Sequence, residues 1–167
     1  MTALQACLHY LDVNEVRYTH TSHPVAYTAK EVALAEFMPS HRVAKTVVLK
    51  SGEDRFLHVV VPADTYVDLE QVRTAMGVRT LQKALESDML RLFPQAEMGA
   101  MPPLIALSHI PVYLDRELSR QEFVAFTAGT HRDLIHMRMS DFLHLTEPII
   151  GNFSRPDYGE QSFAVGF

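Results

Sequence analysis

The chain has 167 residues and a formal net charge of −5 at pH 7; 47% of its residues are hydrophobic and 21% are charged. This composition is typical of a globular protein and excludes a disordered chain, and the length favours one domain. The acidic balance argues against a protein that wraps a long nucleic-acid backbone, because neutralising phosphates supplies most of the affinity of such proteins.

Capping signals and apolar strands alternate in the first half of the chain. Capping-box patterns at residues 2–5 and 28–31 each predict the start of a helix. Asp68 as N-cap and Gly77 as C′ residue bracket a third helix. Strands are predicted at 16–20, 43–49, 56–61 and 78–81, with the second and third joined as a hairpin through a glycine-containing turn.

Short strands dominate the second half. One helix is predicted from Ser87 to the residue before Pro94, and Ser140 caps a last helix that ends before Pro148. Strands are predicted between these helices at 104–107, 112–114, 123–127 and 134–139.

Several of these strands follow one another without a helix, so long parallel crossovers are not available throughout. The predicted fold is therefore α/β, a single domain with a mixed, largely antiparallel sheet flanked by helices. We expect this domain to span residues 1–150 and the tail at 151–167, which has no clear period, to be irregular.

The compartment is predicted from what the sequence lacks. The one cysteine, Cys7, cannot form an internal disulfide, and the N-terminal residues do not resemble a signal peptide. No apolar run approaches the roughly 20 residues that a membrane helix needs. We expect a cytoplasmic protein with no membrane partner.

Lys45 stands in the most strand-like segment, Val43-Ala44-Lys45-Thr46-Val47-Val48-Leu49. Side chains of a strand alternate between faces, which puts Lys45 on the same face as Val43, Val47 and Leu49. An ammonium on an apolar face loses solvation unless it is paired. Lys45 is therefore either a side chain at a sheet edge whose head reaches water, or a functional group.

Two further segments have the composition of functional loops. Residues 97–103 combine a glycine, which permits close approach of a ligand, with two stiffening prolines. Unpaired N–H groups in such a loop can stabilise an oxygen that becomes negative in a transition state, although a plain turn is the alternative. At residues 126–132 a strand turns through Gly129, where His131 either binds or transfers a proton, or merely occupies a hairpin tip.

No metal site, cofactor site or catalytic nucleophile is predicted. His20 and His23 lie three residues apart but not on a helix, and the sequence has neither paired cysteines nor an H-E-x-x-H motif. Glycine-rich phosphate loops and a G-x-S-x-G turn are likewise missing. Cys7 lies among the leucines of the first helix, where it is expected to fill the core.

Taken in order, three of these segments resemble the YbaK/prolyl-tRNA synthetase-associated editing-domain family, the free-standing aminoacyl-tRNA deacylases. Residues 44–49 match its A-K-[ST]-hydrophobic strand, and Gly99-Ala100-Met101-Pro102-Pro103 matches its G-x-x-P pocket loop. Residues 128–132 resemble its late glycine turn. The resemblance spans roughly residues 1–150.

This resemblance implies a trans-editing hydrolase that cleaves the ester of a mischarged aminoacyl-tRNA without a metal. Lys45 would be the catalytic lysine, and the backbone amides of the Gly99–Pro103 loop would hold the aminoacyl carbonyl or its oxyanion. The substrate-binding residues would be Gly99, Ala100, Met101, Pro102 and His131.

The partners implied are the 3′ end of a mischarged tRNA and, for delivery, an aminoacyl-tRNA synthetase or an elongation factor. We expect basic residues near the mouth of the pocket, with His41, Arg42 and Arg132 as candidates. The amino acid removed stays open among alanine, serine, threonine, cysteine and proline. The alternative is a non-catalytic binding module of the same fold that holds a small ligand, an aminoacyl-tRNA end or a synthetase partner.

Overall fold

Short strands and helices alternate through the computed structural model, which describes residues 1–156 apart from the side chains of residues 105 and 106. The strands are β1 Tyr18–Ser22, β2 Ala44–Ser51, β3 Arg55–Pro62, β4 Thr65–Val67, β5 Gln82–Lys83, β6 Val112–Asp115, β7 Phe123–Thr127, β8 Asp133–Arg138, β9 Ile149–Gly151 and β10 Ser154–Pro156. The helices are α1 Ala3–Val13, α2 Ala29–Ala35, α3 Leu69–Met76, α4 Glu86–Leu92, α5 Ile105–Ser108, α6 Arg116–Ser119 and α7 Met139–Thr146, and Ser40–Arg42 form a 3₁₀ turn.

Three groups of paired strands form the framework. The largest has the order β5-β2-β3-β6-β9, in which β3 and β9 run parallel to β6 while β2 is antiparallel to both of its neighbours. The second, β1-β8-β7, is antiparallel, and β10 pairs antiparallel with β4. A parallel bridge between Val43 and Ala125 joins the two larger groups. The predicted α/β fold with a mixed, largely antiparallel sheet is confirmed.

Three predicted caps, Thr2, Thr28 and Asp68, begin helices as expected. The predicted Ser140 cap is wrong, because α7 begins at Met139 after Arg138, which makes no side-chain capping hydrogen bond. Thr2 Oγ1 accepts a hydrogen bond from Gln5 N at 3.1 Å while Gln5 Oε1 accepts one from Thr2 N at 2.9 Å, which completes the predicted capping box. Thr28 and Asp68 cap α2 and α3 through their side chains, and Gly77 ends α3 with φ +67°. The predicted β2–β3 hairpin forms, with Ser51 paired to Arg55.

Two predicted strands are wrong. Residues 105–108 of the apolar run after Pro103 form helix α5, because a short apolar run has no period that separates a buried strand from a buried helical turn. The strand predicted at 78–81 does not form; pairing with β2 begins only at Gln82.

The tail is ordered further than its sequence predicts. Gly151 ends β9, and Ser154 pairs with Val67 in the β10–β4 ladder. The buried Asp115 carboxylate accepts hydrogen bonds from the N–H groups of Phe153 and Ser154, both at 2.9 Å. These are distant contacts that no local period reveals, so the irregular tail expected from residue 151 is corrected for 151–156. Residues 157–167 lie outside the described residues.

The core includes two residues whose burial has chemical consequences. Cys7 is fully buried in the cluster between α1, α7 and the β1-β8-β7 strands, and its burial raises the pKa of its thiol to about 12. It therefore fills the core as predicted and is not a nucleophile. His58 on β3 is fully buried, and desolvation lowers its pKa to about 4.

Candidate active site

A cavity of about 740 Å³ opens beside the N-terminal half of β2. On the edge of β2 opposite β3, β5 pairs only with Leu49 and Lys50. Residues 44–48 therefore border the cavity on that edge. The other walls come from residues 26–30 at the start of α2, from the β5–α4 segment, from the glycine loop and from His131. Segments far apart in the sequence thus enclose one site.

Lys45 lies on the cavity wall and is half-buried. Its Nζ donates a hydrogen bond to Thr65 O at 3.0 Å and lies 4.7 Å from the centroid of the Tyr66 ring. The Thr65 hydroxyl donates to Pro62 O at 2.8 Å, which fixes the turn that carries this carbonyl. The Lys45 ammonium therefore has a defined position, set by a carbonyl dipole and an aromatic face.

The glycine loop presents less of its backbone to the cavity than predicted. Gly99 has φ +83°, a conformation that favours glycine, and it lines the cavity together with Met101. Ala100 is fully buried, its N–H donates to Glu97 O at 2.9 Å, and its carbonyl accepts from Gly129 N at 2.7 Å. The predicted Gly99–Ala100 amide pair is therefore corrected, because the Ala100 N–H is already used within the protein. Pro102 is buried and is not part of the cavity wall.

Within residues 1–156, the Gly99 N–H donates to no other protein group. A substrate oxygen in the cavity is a suitable acceptor for such a donor.

His131 is held to the glycine loop by two hydrogen bonds. Its backbone N–H donates to Glu97 Oε2 at 2.9 Å, and its ring Nε2 lies 2.8 Å from Met98 O. A carbonyl only accepts, so Nε2 carries a proton, and in the neutral ring Nδ1 is the acceptor. The Tyr27 ring lies against the imidazole with a centroid distance of 4.9 Å. His131 thus lines the cavity and also braces its wall.

Several residues of the site were missed by the sequence analysis. Thr65, Tyr66 and Glu97 contact Lys45 or His131 only because of tertiary packing, so no local signal points to them. The sequence indicated Lys30 only as part of a helix-capping pattern and gave no signal for Lys83, yet both line the cavity. The basic residues predicted there, His41, Arg42 and Arg132, do not line it.

The most buried lysine of β2 is Lys50, not Lys45. Lys50 Nζ lies 2.9 Å from Asp88 Oδ2, and both side chains are about nine-tenths buried. Hydrogen bonds from Lys50 and from the Leu85 N–H lower the pKa of the Asp88 carboxyl. Because Asp88 also caps the start of α4, this pair joins β2 to a helix that borders the cavity.

His20 and His23, the histidines considered as metal ligands, make local hydrogen bonds instead. His20 Nε2 lies 2.7 Å from Asp133 Oδ1, and His23 donates through Nδ1 to Pro24 O at 2.7 Å. No group of three or more His, Cys, Asp or Glu side chains that could hold a metal ion occurs among the residues that were described. None of the helices within residues 1–156 is long and apolar enough to cross a membrane.

Comparisons with known proteins place this geometry in context. A family model described as an aminoacyl-tRNA editing domain matches residues 23–145. A comparison with curated proteins found no match.

Solved structures of the same fold share little sequence with the chain. A candidate trans-editing enzyme for prolyl-tRNA synthetase is 22% identical with a TM-score of 0.79, over 93% of this chain and 98% of its own. The hypothetical protein APE2540 is 16% identical with a TM-score of 0.80, over 89% and 99%. A candidate signal-transduction protein from Marinobacter aquaeolei VT8 is 18% identical with a TM-score of 0.71, over 89% of this chain and 30% of its own. At these identities the likeness shows the fold alone.

Proposed function

Because the chain belongs to the aminoacyl-tRNA editing-domain family, whose model matches residues 23–145, we propose that it is a trans-editing hydrolase that cleaves the ester of a mischarged aminoacyl-tRNA. The observation that carries this proposal is that Lys45, whose ammonium is held by Thr65 O, lines the same cavity as Gly99. A lysine and a glycine backbone that line one cavity suit a carbonyl oxygen that gains negative charge.

In the proposed reaction a water oxygen bonds to the ester carbonyl carbon, and the carbonyl oxygen becomes an oxyanion. Lys45 Nζ and the Gly99 N–H stabilise this oxyanion. The bond between the carbonyl carbon and the ribose oxygen then breaks, and the ribose oxygen takes up the proton that the attacking water releases. The products are the free amino acid and a tRNA with a free 3′ end.

No protein side chain is assigned as general base. An aminoacyl ester is already reactive, so the site needs mainly orientation and charge stabilisation. The neighbouring ribose hydroxyl of the substrate orients the attacking water. We propose that no metal takes part, and that Lys45 supplies the positive charge a metal would otherwise provide.

His131 and Met101 complete the substrate site as wall residues. The hydrogen bonds of His131 to Glu97 and to Met98 O support a positioning role for this histidine, because they keep the glycine loop at a fixed distance from the turn. Met101 is buried beside Gly99 and narrows the cavity with an apolar side chain, which favours small amino acids over bulky ones.

The test is a panel of tRNAs mischarged with alanine, serine, threonine, cysteine or proline, with the Lys45→Ala variant beside the wild type. An Arg17→Gln variant, which removes an exposed charge away from the cavity, is the control. We expect release of one amino acid by the wild type and the control but not by Lys45→Ala. If no ester is cleaved faster than in buffer, with or without a synthetase or elongation factor, a non-catalytic binding role replaces the proposal.

A further inference from the structure

The lysines of this chain are concentrated at one place. The sequence contains four lysines, and Lys30, Lys45 and Lys83 all line the cavity, while Lys50 is buried against Asp88. None of the arginines within the described residues lines it. In a chain with a net charge of −5, this gathering places a local positive field at the cavity. Walls of low polarity focus such a field on whatever enters.

The cavity wall holds more lysines than recognition of an aminoacyl group requires. Glu86 is the one carboxylate on the described cavity wall, against three lysines. The α-amino group of an aminoacyl ester is wholly or partly cationic near neutral pH, so additional lysines repel it. The remaining positive charge therefore suits a different, anionic part of the ligand.

The three lysines also differ in exposure. Lys45 is half-buried and its Nζ is directed to Thr65 O, whereas Lys30 on α2 and Lys83 on β5 are exposed. The exposed lysines thus lie where the cavity meets solvent. Both also interact with other groups of the protein, so an incoming anion joins or exchanges with those contacts.

We propose that Lys30 and Lys83 form a phosphodiester-binding subsite that grips the single-stranded 3′ end of the RNA behind the esterified nucleotide. This inference rests on the proposed function for the identity of the ligand. A grip on the phosphates of an RNA end, and not on a duplex, is compatible with an acidic protein, because only a few charges are neutralised.

The proposed subsite predicts different effects of the lysine substitutions on two substrates that share the same ester. We compare hydrolysis of intact mischarged tRNA with hydrolysis of the matching 3′-aminoacyl adenosine, which has no phosphodiester. Lys30→Gln and Lys83→Gln are expected to lower kcat/KM on tRNA roughly two- to fivefold each at low salt. Both variants are expected to lose more activity on tRNA than on the aminoacyl adenosine, and Arg17→Gln to match the wild type on both substrates.

A binding measurement makes the inference independent of catalysis. Fluorescence anisotropy follows a labelled single-stranded RNA that ends in CCA, as salt is varied. Each lysine variant is expected to reduce the slope of log affinity against log salt by about 0.7. Adenosine monophosphate at equal phosphate concentration is the competitor that distinguishes a mononucleotide site, since it is expected to displace the RNA poorly.

The outcomes separate this inference from the proposed function. Lysine-dependent RNA binding without hydrolysis of any ester would keep the subsite and remove the hydrolase. Hydrolysis of tRNA with unchanged rates and salt slopes in both variants would overturn the subsite alone. Equal losses on tRNA and on aminoacyl adenosine would also overturn it, because the lysines would then act at the ester or on the fold.

Discussion

Glu97 Oε2 accepts a hydrogen bond from the backbone N–H of His131 at 2.9 Å. The same two segments are joined by the Glu97 N–H to Gly129 O at 2.8 Å and by the Gly129 N–H to Ala100 O at 2.7 Å. The Glu97 side chain therefore completes a set of hydrogen bonds that couples the glycine loop to the turn carrying His131. Both walls of the cavity depend on this coupling.

Replacing Glu97 tests the coupling. Glu97→Ala removes the acceptor and is expected to lower the free energy of unfolding by about 1 kcal/mol, with a several-fold loss of deacylation rate as the loop loosens. Glu97→Gln keeps a side-chain oxygen acceptor and is expected to stay close to the wild type. Urea denaturation and single-turnover hydrolysis provide the two readouts. A glutamine variant as impaired as the alanine variant would show that the negative charge matters and not the hydrogen bond.

Tyr66 is expected to position Lys45 through its ring. Tyr66→Phe retains the aromatic face 4.7 Å from the Lys45 ammonium, while Tyr66→Leu removes it. A cation–π contact at a partly exposed site contributes about 0.5–1 kcal/mol, so Tyr66→Leu is expected to lower kcat roughly two- to fivefold. Steady-state kinetics on the preferred ester measure the effect. Equal kcat values for the leucine and phenylalanine variants would exclude a role for the ring.

His58 is expected to make the fold sensitive to mild acid. Burial lowers its pKa from an ordinary 6.5 to about 4, so the neutral form is favoured in the folded state. The unfolded chain takes up a proton first as the pH falls, and stability is therefore full above about pH 6.5 and is lost towards pH 4. The loss amounts to about 3 kcal/mol over this window.

Urea denaturation between pH 4 and pH 7 measures this pH dependence. His58→Met is expected to flatten it, although it leaves Ser108, the partner of His58 Nε2 at 3.1 Å, without that contact. His9→Gln replaces an exposed histidine of α1 and serves as the matched control with the wild-type pH profile. An unchanged pH profile in His58→Met would contradict the account.

Gly129 is expected to tolerate no side chain. It has φ +97°, and a Cβ atom there would lie 2.8 Å from Ala3 Cβ and 2.9 Å from Leu4 N at the start of α1. Gly52 has a similar φ of +71°, but a Cβ atom there would have no neighbour within 4 Å. Gly52→Ala therefore measures the cost of the positive φ without a steric clash. We expect Gly52→Ala to cost about 1 kcal/mol and Gly129→Ala about 2–4 kcal/mol by urea denaturation. Equal costs would show that α1 shifts away without penalty.

Local sequence signals predicted the parts of this structure that depend on near neighbours. Capping residues such as Thr2 and Asp68 act within one helical turn, and the β2–β3 hairpin depends on strand alternation around a glycine-containing turn. The same alternation drew attention to Lys45, which lies on the cavity wall. These features need no knowledge of the rest of the fold.

The remaining features depend on which distant segments meet. Arg42 and Arg132 are close in sequence to residues of the site but do not line the cavity, whereas Lys30 and Lys83 do. The engagement of the Ala100 N–H by Glu97 O is a detail of loop conformation that composition cannot reveal. Motifs therefore selected Lys45 and Gly99, which line the cavity, but they did not predict which other residues border it.

The central claim is that the Lys45 ammonium stabilises the ester carbonyl during hydrolysis. The most direct measurement is the single-turnover hydrolysis rate of the preferred mischarged tRNA with wild type and Lys45→Ala, alongside urea denaturation of both. We predict a rate at least roughly 100-fold lower in the variant, with the unfolding free energy changed by no more than about 1 kcal/mol. A folded Lys45→Ala protein that hydrolyses the ester at the wild-type rate would contradict the account.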